Sequence, residues 1–475
     1  MPSATLVIEG SMSHKASILG RGYADRHLDS ARVRFRRALT LCLMTIVAPG
    51  SAQLAVGNKS VGRAALAVWA ALLGGIGYLA VTARIDRKQI FTLLTDSDAL
   101  LIARAGIVVI AALWLMLFID AWRLGSPFRL NFGRAAVVTA VNAAIVASAV
   151  GSTAYASQLI HVQNVVVKKV FKETEKSAPL KGRYNILLLG SDSGKGRMGL
   201  RPDSMTVASV DAETGKTVLV SLPRNLQNVP FPLDSPMHKA YPNGFNCGSV
   251  CLLNAVHTYA SNRSDLYPGS KDPGLNAQID AISGVTGLKI NYYIMINMKG
   301  FRSLVNAVDG VTVNVHTRIA MFGHDDAYIN KYIEPGVQKL DGKQALWFAR
   351  SRVQSDDYTR MARQKCLMSD MLHELSPQTV LLNATKILTS GEELLSTTIP
   401  RSELPQFADL ALKSRREKVA TVSLVPPKVN TVHPDFVLIK KMINDAIQKS
   451  EETSAGDSKS DKSEANSTDD LESAC

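Results

Sequence analysis

Arginine is concentrated in one short stretch of this sequence. The segment "ARSRVQSDDYTRMARQ" (residues 349–364) carries Arg350, Arg352, Arg360 and Arg363 together with Asp356 and Asp357. Guanidinium groups at such density repel one another. A polyphosphate relieves the repulsion and accepts paired hydrogen bonds from each planar fork. On a strand, Arg350 and Arg352 would share a face. On a helix, Arg360, Arg363 and Gln364 share one, at spacings of three and four. A strand end and a helix would then aim both groups into one anion-binding cleft. The competing reading pairs the arginines with Asp356 and Asp357 in an exposed ion network.

Further chemistry sits upstream. "LLLGSDSGKGRMGLRPDSMTV" (187–207) leaves the end of a predicted strand, where α/β folds place ligands. It is not a P-loop, because only three residues separate Gly190 from Gly194 and Lys195 is followed by Gly196. It does offer Asp192 and Asp203 with Arg201 between them. Two converging carboxylates suit a hard cation such as Mg2+ or Mn2+, which keeps few protein ligands and fills its shell with water and phosphate oxygens. Turn capping by the same aspartates is the other reading. "SLPRN" (221–225) places Arg224 just after another strand.

The positions of these residues depend on the elements around them. "YNILLLG", "SMTVASVD", "KTVLVSLP", "NYYIMINM", "VTVNVH" and "VATVSLV" read as strands, with "AQIDAISGVTG" and "MKGFRSLVNAVDG" as helices. Strands mixed with helices in this way predict an α/β class, an α/β/α sandwich with a central mixed sheet. An all-α transmembrane region precedes it. Of 475 residues, 46% are hydrophobic, and the formal charge is +13. Such a charge suits anionic headgroups, phosphorylated substrates or nucleic acid. No helix-turn-helix or other nucleic-acid reader is recognisable, so no nucleic-acid partner is expected.

Residues 1–37 read as a basic cytoplasmic tail without a signal-peptide pattern. Apolar stretches follow at 38–57, 64–83, 105–121 and 135–157, each near the roughly 20 residues that cross a bilayer. The first has basic flanks on both sides and an interrupting Pro49-Gly50, so 38–57 reads as a re-entrant or interfacial hairpin. Three spans then place everything after residue 160 outside the cell; four full spans would return it to the cytoplasm. The loop "WRLGSPFRLNFGR" (122–134) is basic without an acid, which fits the inside. A linker (161–182), an extracellular domain (183–448) and a disordered acidic tail (449–475) complete the chain.

None of the five cysteines forms a CxxC pair, which excludes a zinc ribbon or thioredoxin motif. In "FNCGSVC", Cys247 and Cys251 would pair as a disulfide if the domain lies outside. Zinc with His238 or His257, free thiols, and pairing with Cys366 are the alternatives.

In their order, "NILLLGSDS…RPDSM", "SLPR", "FRSLVNAVDGVTVNV", "LDGKQALWFARSR" and "DDYTRMARQ" resemble the LytR-CpsA-Psr family over roughly 183 to 370. The multi-span start resembles its actinobacterial members. The resemblance implies a magnesium-dependent phosphotransferase with pyrophosphatase side activity. Such an enzyme moves a glycopolymer from a polyprenyl-pyrophosphate carrier in the membrane lipid onto peptidoglycan. It implies Asp192 and Asp203 as metal ligands and Arg201, Arg224, Arg352 and Arg360 as catalytic. Arg350, Arg363, Gln364 and Lys239 would bind the pyrophosphate, Lys239 through a likeness of "HKAY" to the family's K-I-N lysine. The chain departs from the family pattern at Asn225, where aspartate is usual, and at Thr359, where glycine is common. A regulator, or a sensor of polyprenyl pyrophosphate without turnover, is the rival class.

Overall fold

The computed structural model describes residues 31–191, 202–321, 331–353, 356–374, 379, 383, 395–452 and 467–468. The chain divides into two compact units, Met1–Val81 with Ala103–Gln158, and Thr82–Ile102 with Leu159–Cys475.

The first unit is helical. Helices α1 (Ala31–Val47) and α2 (Ser51–Val56) are joined by a turn at Pro49-Gly50. Gly50 has φ 98°, and a Cβ there would lie 2.6 Å from that of Ala65, so the turn requires glycine for both reasons. Next come α3 (Lys59–Ile85), α4 (Arg87–Thr95), α5 (Ser97–Leu124) and α6 (Phe132–Val170), of which α4 belongs to the second unit. Among the described residues, three helices are long and apolar enough to cross a membrane: Lys59–Ile85, Ser97–Arg129 and Phe132–Val170. They expose apolar side chains such as Ile76, Val109 and Met116, a surface unsuited to water.

Helix α6 runs ten residues into the segment expected as linker. Gln163 Nε2 donates to the Leu94 carbonyl at 2.8 Å and Asn164 Nδ2 to that of Ser97 at 3.4 Å, near the break between α4 and α5. Leu94 lies in the last turn of α4, where carbonyls otherwise lack partners, so its contact favours continuing α6.

The second unit is built on a seven-stranded sheet. Its chain order begins β1 (Arg183–Ser191), β2 (Pro202–Asp211), β3 (Thr217–Leu222), α7 (Pro236–Ala240), α8 (Val256–Ser261), α9 (Pro273–Thr286), β4 (Tyr292–Asn297) and α10 (Met298–Ala307). It continues β5 (Val311–Val315), β6 (Ile319–Met321), β7 (Lys331–Ile333), β8 (Gly336–Leu340), α11 (Gly342–Arg350), α12 (Asp357–Glu374) and β9 (Leu395–Thr397). It closes with α13 (Leu404–Ser414), β10 (Ala420–Ser423), α14 (Phe436–Glu452) and β11 (Ser467–Thr468).

The strand order is β11-β10-β3-β2-β1-β4-β9, with β1–β4 and β3–β10 parallel and the other pairs antiparallel. Strand alternation sorts the two faces. Leu187, Leu189, Val218 and Val220 pack with Val256, Ile282 and Ile439 from α8, α9 and α14. Tyr184, Ile186, Ala208 and Leu219 pack with Met368 and Leu410 from α12 and α13. The result is the α/β/α sandwich with a mixed central sheet.

Two further expectations differ from the structure. "VTVNVH" forms a strand, but it pairs with β8 in a separate two-stranded sheet. Ser467–Thr468 pair with β10, covering what would be an open edge, so that part of the 449–475 tail is not unstructured. Within that tail α14 also continues to Glu452, and the remaining residues lie outside those described.

Candidate active site

Arg224 follows β3, where Pro223 removes a ladder donor and ends the strand. Its loop is held from a neighbouring segment: Asn254 N donates to the Arg224 carbonyl at 3.1 Å, and Leu253 N to that of Leu226 at 2.8 Å. Just before that segment, Cys247 and Cys251 are joined in a disulfide, so neither is a zinc thiolate or a partner of Cys366. Cys366 is itself disulfide-bonded.

The stretch around Arg350 is helical, not a strand. Asp341 and Gln344 form a capping box that starts α11, and the helix continues through Arg350. Arg350 therefore ends a helix, while Arg352 stands in the loop beyond it, and the two share no strand face. The next helix starts from Asp356, whose Oδ1 accepts from Thr359 N at 2.7 Å. The Thr359 hydroxyl and amide hold the Asp356 carboxyl below its ordinary pKa. Asp356 is thus a cap, and it makes no ion pair among the described residues.

Asp357 is the carboxylate that gathers the arginines. Its Oδ2 lies 3.1 Å from Arg360 Nη2, and its Oδ1 lies 3.3 Å from Arg224 Nε and 3.8 Å from Arg352 Nε. Arg224 Nη1 also donates to Asp203 Oδ1 at 2.9 Å, and Arg360 Nη2 to the Asp203 carbonyl at 3.4 Å. Three guanidinium groups thus face two carboxylates, leaving one net positive charge.

The Arg360 side chain is only 3% exposed. Burial pulls its pKa down, Asp357 opposes that, and Arg224 and Arg352 add to the lowering. Arg360 Nε, Asn225 Oδ1 and Ser351 Oγ are buried without a hydrogen-bond partner. Polar atoms in that state are costly unless an acceptor- or donor-rich ligand meets them.

The other predicted residues divide. Arg363 and Gln364 lie on α12 as predicted, but their side chains hold main-chain carbonyls. Arg363 donates to Phe348 O at 2.8 Å and to Ser351 O, and Gln364 Nε2 to Ala349 O at 3.1 Å. They pin the end of α11 and so position Arg352. Lys239 is exposed on α7 and makes no hydrogen bond or ion pair among the described residues. Asp192 and Arg201 lie outside the described residues.

Asp357 was visible in the sequence only as a candidate ion-pair partner; its i, i+3 spacing to Arg360 was the available cue. A narrow cleft beside the cluster, bounded by Asp203, Ser221, Gln364 and Lys365, had no sequence signal.

The chain is similar to known proteins over about half its length. It is 28% identical over 241 residues to the polyisoprenyl-teichoic acid–peptidoglycan teichoic acid transferase TagU of Enterococcus faecalis, covering 50% of this chain and 68% of that protein. It is 30% identical over 250 residues to biofilm regulatory protein A of Streptococcus mutans, covering 49% and 55%. The crystal structure of Bacillus subtilis TagV aligns with 22% identity and a TM-score of 0.41, covering 58% of this chain and 99% of that one. The model of the LytR_cpsA_psr family matches residues 152–453. That match takes in both sheet faces and the whole arginine cluster, and the chain belongs to the LytR_cpsA_psr family.

Proposed function

We propose that this protein is a phosphotransferase that moves a glycopolymer from a polyprenyl-pyrophosphate carrier onto peptidoglycan. The observation that carries this reading is the arginine cluster: Arg224, Arg352 and Arg360 around Asp357, with a net positive charge and the buried Arg360 Nε unmet. The name of the TagU relative, a teichoic acid transferase acting between a polyisoprenyl carrier and peptidoglycan, points the same way.

In this mechanism the arginines bind and orient the pyrophosphate. An acceptor hydroxyl attacks the phosphorus that carries the polymer, forming a new P–O bond. The bond to the lipid phosphate breaks, and polyprenyl phosphate departs as an anion stabilised by the same guanidinium groups. The hydroxyl proton passes to a base that the geometry does not single out.

A magnesium or manganese ion would be held here mainly through phosphate oxygens. Among the described residues no group of three or more His, Cys, Asp or Glu could hold a metal, and Asp203 offers one carboxylate at a strand end. Asp203, with Asp192, would hold the ion, whose chemistry is to neutralise phosphate charge.

The reading requires a multi-pass protein with this domain outside. Helix α4, between two membrane-length helices, packs against α13 of the globular unit. That packing is consistent with residues 86–96 and the domain lying on one side, as three spans require. The basic residues of α1 and of the 123–134 loop would occupy the other. In spheroplasts, a membrane-impermeant maleimide should label Lys239→Cys and spare Phe128→Cys; the reverse pattern would overturn the orientation.

For the chemistry, full-length protein in nanodiscs is incubated with a polyprenyl pyrophosphate and magnesium, and release of polyprenyl phosphate is followed. Turnover abolished in Arg352→Ala and Asp203→Ala supports the transferase. Binding without turnover, even with a glycan acceptor, refutes it in favour of a sensor.

A further inference from the structure

Arg224, Arg352 and Arg360 are each paired with a carboxylate, but Lys365 is not. Lys365 stands on α12 one residue after Gln364, and it lines the narrow cleft between that helix and strands β2 and β3. It forms no hydrogen bond or ion pair among the described residues. Opposite it are Ser204 and Thr206 of β2 and Ser221 of β3. Thr206 and Ser221 are direct register partners, and Ser204 lies two residues along β2 on the same face. These three hydroxyls interrupt a sheet face otherwise lined by Ile186, Ala208 and Leu219, and none hydrogen-bonds another described residue.

Each hydroxyl can accept as well as donate, but the ammonium and the three hydroxyls have no anion among them. The carboxylate that borders them, Asp203, is already held by Arg224 at 2.9 Å. Burial lowers the Lys365 pKa, and no carboxylate among the described residues pairs with it. The cleft holds about 10 Å³, room for one water, so a phosphoryl group enters only as its helix-side wall moves. Met361, Lys365 and Met368 there are unbranched side chains that change rotamer readily, while Gln364 stays held at the Ala349 carbonyl.

We propose that Lys365, with the hydroxyls of Ser204, Thr206 and Ser221, forms a second phosphate subsite beside the arginine cluster. It rests on the reading of a pyrophosphate-linked donor and deepens it. The arginines take one phosphoryl group and the lysine subsite takes the other, with Asp203 at the boundary between them. The subsite would distinguish a pyrophosphate from a monophosphate.

The test uses full-length protein in nanodiscs, with inorganic phosphate, inorganic pyrophosphate and farnesyl pyrophosphate as probes. Lys365→Met keeps the volume and removes the charge, and Lys365→Arg restores it. In Lys365→Met, affinity for both pyrophosphates should fall about tenfold or more, the loss of one charge-assisted contact. Phosphate affinity should stay within about twofold, and Lys365→Arg should recover most of the loss. The ligand-free melting temperature of Lys365→Met should not fall, since a thioether suits the cleft.

Unchanged pyrophosphate affinity would overturn the subsite, as would a loss confined to the farnesyl ligand, which would mark a contact to the chain. If Arg352→Ala loses pyrophosphate while Lys365→Met retains it, the subsite alone is wrong. If wild-type protein binds neither pyrophosphate, the transferase reading fails along with it.

Discussion

Replacing Asp357 by asparagine removes one charge from the centre of the arginine cluster and keeps the side-chain shape. Arg360 is 3% exposed and its partner Asp357 20%, so the pair is largely shielded from water. Removing one partner of a fully buried pair costs about 3–5 kcal/mol, because the other charge is left uncompensated. The cost here is smaller for reasons visible in the geometry. Arg224 keeps Asp203 at 2.9 Å, Arg352 is 42% exposed and screened, and Arg360 keeps the Asp203 carbonyl.

Asp357→Asn should therefore destabilise the globular unit by about 2–3 kcal/mol, a fall of roughly 5–10 °C in melting temperature. Trp347 reports on this unit, since Trp69, Trp114 and Trp122 lie in α3 and α5. Melting followed by its fluorescence, with the other three replaced by phenylalanine, is the assay. Adding pyrophosphate should raise the variant more than the wild type, because the anion takes over the role of the missing carboxylate. A variant that melts with the wild type, or equal stabilisation of both by pyrophosphate, would refute the idea that Asp357 balances the cluster.

Arg363→Met should lose about 1–3 kcal/mol of stability by leaving the Phe348 and Ser351 carbonyls without their donor. Arg352→Met should weaken pyrophosphate binding with little change in the denaturation midpoint, and paired titrations of the two variants check this contrast. Phe91 is 2% exposed on α4, the helix that packs on α13, so Phe91→Ala should cost about 3–5 kcal/mol in denaturant unfolding. His257 is buried, and burial lowers its pKa although Asp272, 3.5 Å away, opposes this. Its folded pKa lies below the unfolded value of about 6.5, so its contribution is fully present above that pH and is lost as pH falls. Unfolding free energy should decline below about pH 6.5 by at most about 1.4 kcal/mol per unit, and His257→Gln should flatten that slope.

Much of the scaffold is determined by local patterning. Runs such as "YNILLLG" and "KTVLVSLP" are apolar, β-rich and bounded by turn residues, and they became β1 and β3 of the central sheet. The long apolar stretches that became α3, α5 and α6 follow from composition alone. The arginine density at 350–363 marked a place where counter-charge must gather, because like charges do not collect without it.

What local sequence did not determine was which of those charges meet. Arg350 and Arg352 were expected on one strand, but the Asp341–Gln344 capping box makes that segment a helix and separates them. Arg363 and Gln364 share the helix with Arg360, yet they bond to carbonyls that α11 brings within reach. Arg224, far away in sequence, joins Asp357 because the loop after β3 and the start of α12 meet in the fold. Lys365 looks in sequence like an ordinary solvated lysine; only the packing of α12 on the sheet puts it opposite three hydroxyls. Periodicity specifies a residue's face on its own element, whereas the partner on the facing element is set by nonlocal packing.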